Sequence, residues 1–462
     1  MIKMKSLYLS FTILFLLIGV CQISCRKFVE IPPPKTGLVD ASVFNNEGSV
    51  RAALSGIYSD MQSGGGFASG SFTSLTFFGG LSTDELISYN AGLDIKALYQ
   101  NTILPSNGTV AITVWTNPYH YIYICNSLIT GINATLNIPA ADKSALVAEA
   151  KFIRAFCYFY LTNLYGDVPL YLSADYSENI IATRATQAKV YDQITSDLLD
   201  AQKDMAKPGA GDFRVLPNND AATALLARVY LYTGKYQQAI DQANSLIGNS
   251  ARYTLLTDLN AVFLKNSKEA IWQMQPVIPG LNTNEGSFFI LTAAPTYVSL
   301  APMLVNAFES GDKRRQLWVD SIQASGATYY FPFKYKIQSG TDLKEYSMVF
   351  RLAEQYLIRA EAKTYLGDYT GARSDLNAVR TRAGLPESSA ADKAGLLSSL
   401  EHERQVELFT EWGHRWLDLK RTGRATAVLG LIKPGWKATA VLYPIPAQEI
   451  SANKNITQNP GY

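Results

Sequence analysis

The stretch from Glu149 to Leu170, EAKFIRAFCYFYLTNLYGDVPL, constrains the fold more than any other part of the chain. Its apolar residues recur at steps of three and four, and Phe152, Phe156 and Phe159 add a second apolar face. A helix that is apolar nearly all round must be buried under other helices. The pattern stops at Gly166-Asp167-Val168-Pro169, where Gly can adopt a left-handed conformation and Pro cannot continue a helix. We therefore predict a central core helix with a tight exit.

Length and charge narrow the class of protein. A chain of 462 residues can form one large domain or two or three smaller ones. Aromatic residues are frequent, whereas charged residues make up only 17%, so the chain is not of the disordered type. Lys3 and Lys5 account for the formal charge of +2, and the rest of the chain is neutral. A neutral chain argues against nucleic acid as the main partner.

The N-terminus has the pattern of an export signal. Lys3 and Lys5 precede an apolar run, Leu7 to Val20, that is too short for a comfortable membrane span. Ser24, a small residue, then stands before Cys25. This pattern predicts a lipoprotein signal peptide over residues 1–24 and a lipid anchor on Cys25. Acylation of Cys21 and ordinary secretion without a lipid are the alternatives.

A pair of similar segments indicates helical hairpins. Ala221 to Ile240 reads AATALLARVYLYTGKYQQAI, and Ala353 to Arg373 reads AEQYLIRAEAKTYLGDYTGAR. The residues that match are Gly234 with Gly367, Tyr236 with Tyr369, and Ala239 with Ala372. Each copy predicts a helix, a Gly turn and a second helix, as in a tetratricopeptide hairpin. The fold class is therefore mainly α, with a tetratricopeptide-like hairpin scaffold, long irregular insertions and a few short strands.

Other segments fill out this scheme. Periodicity predicts further helices over about residues 46–61, 117–132 and 190–205, and a short strand over 270–274. The Gly- and Ser-rich segment 62–80 reads as a loop with exposed aromatic residues. Residues 250–342 form a long insertion, which is where binding residues tend to sit on a rigid scaffold.

Motifs for metal or nucleotide chemistry are incomplete. His402-Glu403 begins like a zinc-protease motif, but Val406 occupies the place of the second His. The glycines at 64–66 lack the Lys-Ser/Thr of a phosphate-binding loop. We therefore predict no metal and no cofactor. Cys125 and Cys157 have no CxxC partner, and a disulfide between them stays open for an exported protein.

Four motifs in order resemble one known family. They are the opening CRKFVEIPPPKT, the central helix, ERQVELFTEWGHRWLDLKRTG from Glu403 to Gly423, and the ending from Tyr443-Pro444-Ile445-Pro446 to Gln458-Asn459-Pro460-Gly461-Tyr462. Together they resemble the SusD/RagB family, whose members are outer-membrane nutrient-binding lipoproteins of Bacteroidetes. The resemblance implies an N-terminal helical region over 25–215 with aromatic loops. It also implies a C-terminal region over 216–462 with the hairpins and the insertion, the two forming one intertwined body.

The resemblance also implies a function. Family members capture a nutrient at the outer face of the outer membrane and pass it to a TonB-dependent transporter of the SusC type. An oligosaccharide is the expected ligand, because exposed aromatic rings suit the apolar faces of sugars. By position, the candidate ligand-binding residues are Phe67, Tyr89, Tyr99, Trp115, Trp318 and Tyr330.

Three alternatives compete with this function. A peptide ligand is compatible with the same family, and a periplasmic helical-repeat scaffold would bind only proteins. A glycosidase would need two carboxylates at a fixed separation, for which Asp84-Glu85 is a poor candidate pair. The acidic and basic residues between Glu403 and Asp418 have spacings typical of ion pairs on a helix surface. We therefore expect a binding protein without enzymatic activity.

Overall fold

The computed structural model of the protein describes residues 41–63, 66–207, 209 and 214–462. The predicted signal peptide and Cys25 lie outside the described residues. Residues Val43–Tyr462 form one compact unit. Within the described ranges, every helix is too short or too polar to cross a membrane.

Helices dominate the described chain. The α-helices are α1 (Glu47–Gln62), α2 (Leu75–Ser82), α3 (Leu93–Tyr99), α4 (Gly108–Ala111), α5 (Asn117–Ala134), α6 (Ala140–Tyr165), α7 (Tyr176–Asn179), α8 (Gln187–Asp204), α9 (Asn219–Tyr232), α10 (Tyr236–Ile247), α11 (Asn284–Phe289), α12 (Pro302–Ala307), α13 (Lys313–Leu317), α14 (Leu352–Leu366), α15 (Tyr369–Arg382), α16 (Lys393–Glu407), α17 (His414–Arg421), α18 (Ala425–Leu429) and α19 (Ala447–Ala452). The strands are β1 (Leu86–Ser88), β2 (Val168–Pro169), β3 (Arg184–Ala185), β4 (Ala270–Met274), β5 (Val298–Leu300), β6 (Val319–Ala324), β7 (Ala327–Pro332) and β8 (Ser347–Arg351). The mainly α fold class is thus confirmed.

The predicted central helix is α6, and it is buried along most of its length. Phe152, Phe156 and Phe159 are all 1% exposed or less. The helix ends at Gly166, whose φ of 74° is a conformation that glycine adopts without strain. The C-terminal motif covers this end, because the Asn459 side-chain amide donates to the carbonyl oxygens of Tyr165 at 2.9 Å and Tyr443 at 2.7 Å. Both the core position and the tight exit are confirmed.

The two hairpins pack directly on each other although the insertion separates them in sequence. Helices α5, α6, α8, α9, α10, α14, α15 and α16 form one array in which each packs against the next. Tyr236 and Tyr365 stack at the junction of the hairpins, with ring centroids 4.4 Å apart and planes 2° from parallel. Ala239 and Ala372 are fully buried, which allows the helices to approach closely. The hairpin prediction is confirmed.

Short antiparallel strands connect distant parts of the chain. β1 pairs with β5, β2 with β3, β4 with β8, and β6 with β7. The strand predicted over 270–274 is β4, and all five of its residues are buried. The pairs β1–β5 and β6–β7 are the ones that shape the surface described below.

The prediction that segment 62–80 is a loop with exposed aromatic rings is wrong for most of these rings. Phe67, Phe77 and Phe78 are buried, and the second half of the segment forms α2 instead of a loop. A close backbone contact explains the glycine at position 79, because a Cβ there would lie 2.4 Å from the Cα of Gly413. Gly79 therefore allows α2 to approach the start of α17.

A buried network of charges lies where the insertion meets the hairpin scaffold. Glu407, at the end of α16, accepts from Arg314 at 2.8 Å and also from Arg351 and Arg382. Glu403, one turn earlier, accepts from Arg314 at 2.6 Å. These carboxylates form ion pairs as predicted, but the prediction of partners three or four residues away on a helix surface is wrong for Glu403 and Glu407. These carboxylates are fully buried, and their partners come from α13, β8 and α15.

The network sets the charge state of its central carboxylate. Burial alone would raise the pKa of Glu407, but the guanidinium groups of Arg382, Arg351 and Arg314 outweigh it and hold the pKa well below the ordinary value. At pH values above the ordinary pKa of a glutamate, the ionised Glu407 carboxylate therefore stabilises the fold. The contribution disappears as the pH falls through the lowered pKa.

We expect Glu407→Gln to reduce the free energy of unfolding by about 3–5 kcal/mol, because it leaves three buried guanidinium groups without their shared charge. Urea denaturation at neutral pH measures the change. Glu401→Gln is the matched control on the same helix, since its side chain is 27% exposed and pairs with the exposed Arg424. Its other partner, Arg415 at 3.5 Å, keeps two hydrogen bonds to Asp84 in this variant. The control should lose about 1 kcal/mol or less. Equal losses in the two variants would contradict a central role for the network.

Candidate functional site

Two tyrosines stand side by side at the end of the β1–β5 pair. Tyr89 follows β1 and Tyr297 precedes β5, so the antiparallel register places them opposite each other. The Tyr89 N–H donates to the Tyr297 carbonyl at 2.8 Å. The side chains are 40% and 44% exposed. The backbone pairing therefore presents two rings to solvent from one edge.

A third tyrosine joins them from the β6–β7 hairpin. The Tyr329 ring lies 5.8 Å from the Tyr89 ring, at 79° to it. Strand β5 packs against β7, which fixes the hairpin beside the β1–β5 pair. We call Tyr89, Tyr297 and Tyr329 the aromatic platform.

Phenylalanines support the aromatic platform from below. Phe72 and Phe288 lie 5.0 Å and 5.7 Å from the Tyr297 ring. Phe288 in turn meets the fully buried Phe77 at 5.5 Å. Contacts of this kind hold the Tyr297 ring in place, so this part of the platform is preorganised.

The hydroxyl groups of the site are partly engaged. The Tyr89 hydroxyl is within 3.0 Å of Ser299 Oγ. Tyr99, at the end of α3, has a pKa raised by burial and then by Tyr89, and Lys433 Nζ lies 3.9 Å from its ring centroid. One face of Tyr99 is therefore occupied by an ammonium group. The exposed rings can pack against apolar ligand faces while nearby hydroxyls form hydrogen bonds.

The adjacent carboxylates Asp84 and Glu85 do not belong to this surface. They are 3% and 1% exposed. Asp84 accepts two hydrogen bonds from Arg415, at 2.9 Å and 2.8 Å, and the two residues form a bidentate salt bridge. Burial, and then the neighbouring Asp84, raises the pKa of Glu85 to about 8. The pair is thus a feature of the interior beneath β1.

Comparisons with known proteins agree with this architecture. A family profile described as "SusD family" matches residues 318–439, and one described as "Starch-binding associating with outer membrane" matches residues 69–231. SusD-like protein P2 of Formosa agariphila is 26% identical to the chain, over 98% of this chain and 99% of its own length. The chain belongs to the SusD/RagB family.

Solved structures of SusD relatives share the fold. A SusD superfamily protein from Bacteroides vulgatus has a TM-score of 0.79 at 20% identity, covering 91% of this chain and 100% of that one. A protein described as "Laminarin binding SusD-like protein" has a TM-score of 0.74 at 26% identity, covering 90% of this chain and 100% of that one. The helical scaffold of this SusD/RagB protein is therefore that of its relatives.

Three of the aromatic residues predicted to bind ligand lie in the core of this SusD/RagB protein. Phe67 packs against Tyr121 at 5.9 Å and Phe156 at 6.1 Å. Trp115 packs against Tyr165, the last residue of the central helix, at 4.8 Å. Trp318 is fully buried, and its Nε1 donates to the Leu259 carbonyl at 3.1 Å. The expectation that these three rings face a ligand is wrong, because each fills a tertiary contact.

The other three predicted residues lie at or near the surface. Tyr89 belongs to the aromatic platform, and Tyr99 is partly buried nearby. Tyr330 is partly buried under Arg315, whose guanidinium carbon lies 4.8 Å from the ring centroid. Successive residues of a strand point to opposite faces, so Tyr329 rather than Tyr330 meets Tyr89.

Two members of the aromatic platform were absent from the sequence-based list. Tyr329 stands in the same aromatic run as Tyr330, but the run alone does not say which ring faces outward. Tyr297 has a weaker signal, since it is a single Tyr between Pro295-Thr296 and the apolar Val298. Only the pairing of β1 with β5 brings it to Tyr89.

We expect Glu85→Gln to flatten the pH dependence of stability. The folded-state pKa of Glu85 lies above the ordinary value. The stability that its protonated form contributes is therefore complete below pH 4.5 and is lost as the pH rises towards about 8. Urea denaturation between these pH values should therefore show a steeper fall for the wild type than for the variant. Glu387→Gln, at an exposed position, is the control and should follow the wild type. Parallel curves for wild type and Glu85→Gln would refute the assignment.

Proposed function

We propose that this protein binds an oligosaccharide on the aromatic platform and delivers it to a TonB-dependent outer-membrane transporter of the SusC type. The observation that carries the proposal is the exposure of Tyr89 and Tyr297 on paired backbone, beside Tyr329. Sugar rings present apolar faces edged with hydroxyls, and flat aromatic rings with hydroxyl groups match both features.

The relatives support a carbohydrate ligand. One matching profile is described as starch-binding and associated with the outer membrane, and one structural neighbour is described as laminarin binding. Both descriptions concern glucans, which are neutral polymers. The aromatic platform is built from uncharged side chains, so a neutral glucan is the first ligand to test.

We also propose that the protein does not hydrolyse its ligand. Glycoside hydrolysis needs two carboxylates on either side of the scissile bond. Asp84 is bound by Arg415 and Glu85 is buried, so this pair is not available to a sugar on the aromatic platform. Delivery to a transporter requires reversible binding without cleavage.

The predicted lipoprotein signal supports a proposal for the location of the protein. We propose that acylated Cys25 anchors it in the outer membrane with the folded body facing the exterior. A lipid anchor lets the body move relative to the transporter while it stays at the same membrane. The transporter would then be covered by this protein as by a lid.

We expect Tyr89→Ala and Tyr297→Ala each to weaken binding of laminari- or malto-oligosaccharides by about tenfold, because an aromatic contact contributes roughly 1–1.5 kcal/mol. Isothermal titration calorimetry measures the affinity, and chromatography of the recovered sugar measures cleavage. Tyr123→Ala is the matched control, since Tyr123 is 46% exposed on α5 and is not part of the aromatic platform.

Three results would redirect the proposal. Equal loss in Tyr123→Ala would exclude the aromatic platform as the site. Binding of peptides but of no oligosaccharide would identify a peptide-capture protein. Shortened sugar products would identify a glycosidase.

We expect the tagged protein, extracted in mild detergent, to copurify with a TonB-dependent barrel in near-equal amount. Cys25→Ala should leave the folded body intact but release it from the membrane fraction, because the lipid anchor is lost. Mass spectrometry identifies the partner, and membrane fractionation measures the anchoring. Recovery of the acylated protein alone would contradict a stable complex.

A further inference from the structure

A second cavity lies on the helical scaffold and shares no residue with the aromatic platform. It has a volume of about 530 Å³ and is bordered by the end of α6, the start of α8, the end of α9 and the α17–α18 turn. Ligand pockets typically have volumes of about 300–1,000 Å³, so the space suits a monosaccharide-sized molecule. Its walls combine polar side chains, such as Gln187 and Tyr191, with apolar ones such as Leu442.

Lys420 brings a positive charge to this cavity without a matching negative charge. Its Nζ donates to the Asn163 carbonyl, and the ring of Trp416 lies 5.3 Å away. Among the residues that the structure describes, no carboxylate forms an ion pair with Lys420. An ammonium group has three hydrogens to donate, and the carbonyl uses one.

The other cation of the cavity is already neutralised. Arg421 donates to Glu361 at 2.5 Å and 2.8 Å, and to Asp418 at 2.8 Å. These two carboxylates do not line the cavity. Lys420 is therefore the one ionic group lining this cavity, within the described chain, that lacks a counter-ion.

A second donor of the cavity also lacks an acceptor. The Tyr232 hydroxyl is buried and has no hydrogen-bond partner among the described residues. A buried polar group without a partner costs free energy, and an unpaired charge costs more. Burial accordingly lowers the pKa of Lys420 to about 7. Lys420 keeps two ammonium hydrogens beyond the one given to the Asn163 carbonyl, and the Tyr232 hydroxyl has no acceptor, so a ligand that supplies acceptor oxygens fits these groups.

We propose that this cavity binds a small hydroxylated molecule through an oxyanion, either a carboxylate or a sulfate or phosphate group, with Lys420 as the counter-ion and Tyr232 as a second donor. Charge-assisted hydrogen bonds to such a group would supply the missing counter-ion of Lys420 and an acceptor for the Tyr232 hydroxyl. Gln187 uses its amide N–H on the Thr162 carbonyl at 2.9 Å, which leaves its side-chain carbonyl for a ligand hydroxyl. The site is independent of glycan capture on the aromatic platform.

Calorimetry with D-glucuronate, inorganic sulfate, inorganic phosphate and neutral D-glucose tests the site on the full folded chain. We expect the wild type to bind at least one of the anions and to bind glucose at least tenfold more weakly. Preference for glucuronate over the inorganic ions would identify a sugar acid as the source of the oxyanion. Comparable binding of sulfate or phosphate would identify the oxyanion group itself as sufficient.

Substitutions then show which side chains bind the anion. Lys420→Gln should weaken anion binding at least tenfold, and Tyr232→Phe about threefold or more, while Lys189→Gln should not change it. Lys189 is an exposed lysine near the start of α8 and does not line the cavity, so it controls for net charge. Oligosaccharide binding on the aromatic platform should be the same in all three variants, which separates this site from the proposed function.

The proposal fails if none of the three anions binds the wild type, or if Lys420→Gln binds as the wild type does. Thermal unfolding without ligand checks the fold of each variant. If Lys420→Gln does not fold, Tyr232→Phe decides, because it removes one hydroxyl and keeps the ring. Wild-type affinity in a folded Tyr232→Phe would then overturn the site.

Discussion

Three guanidinium groups converge on the buried carboxylate of Glu407, and the rest of the structure depends on that convergence. Arg314 comes from the insertion, Arg351 from the end of β8, and Arg382 from the last turn of the second hairpin. A buried charge is tolerated only when its partners are in place, so these segments must reach the interior together. The network therefore joins the insertion to the helical scaffold at a defined position.

This junction also positions the aromatic platform. Lys334, shortly after β7, donates to the carbonyls of Glu407 and Phe409 at 2.8 Å each and to Glu411 at 2.5 Å. One end of the hairpin that carries Tyr329 is thereby fixed to the network. Binding residues held on strands and supported by packed neighbours are placed more accurately than residues on free loops. The interior charges thus contribute to the geometry of a surface that contains no charge of its own.

Sequence reasoning reached the features that are local and missed those that depend on distant contacts. The central helix, the Gly turns of the hairpins and β4 leave periodic or punctuated patterns within a few residues. Arg404 and Glu407 stand three apart, as ion pairs on a helix surface do, but Glu407 pairs with Arg314, which is 93 residues away, and Glu403 pairs with the same Arg314, 89 residues away. Exposure of a ring is a tertiary property in the same way. Trp318 looked suitable for a ligand, yet its indole N–H and its faces are used by Leu259 and by the cations of the network.

The scaffold and the aromatic platform obey different physical constraints, and this difference bears on how ligand preference can change. The Bacteroides vulgatus structure keeps the fold with a TM-score of 0.79 at 20% identity, so the helical array tolerates replacement of most side chains. Its requirements are small residues at helix contacts, glycine at the turns and paired charges inside. The scaffold needs the rings of Tyr89 and Tyr297 for none of these features. Replacing an exposed side chain usually costs little stability. Under the proposed function, ligand preference can therefore shift while the scaffold persists, and it depends on these rings rather than on the fold.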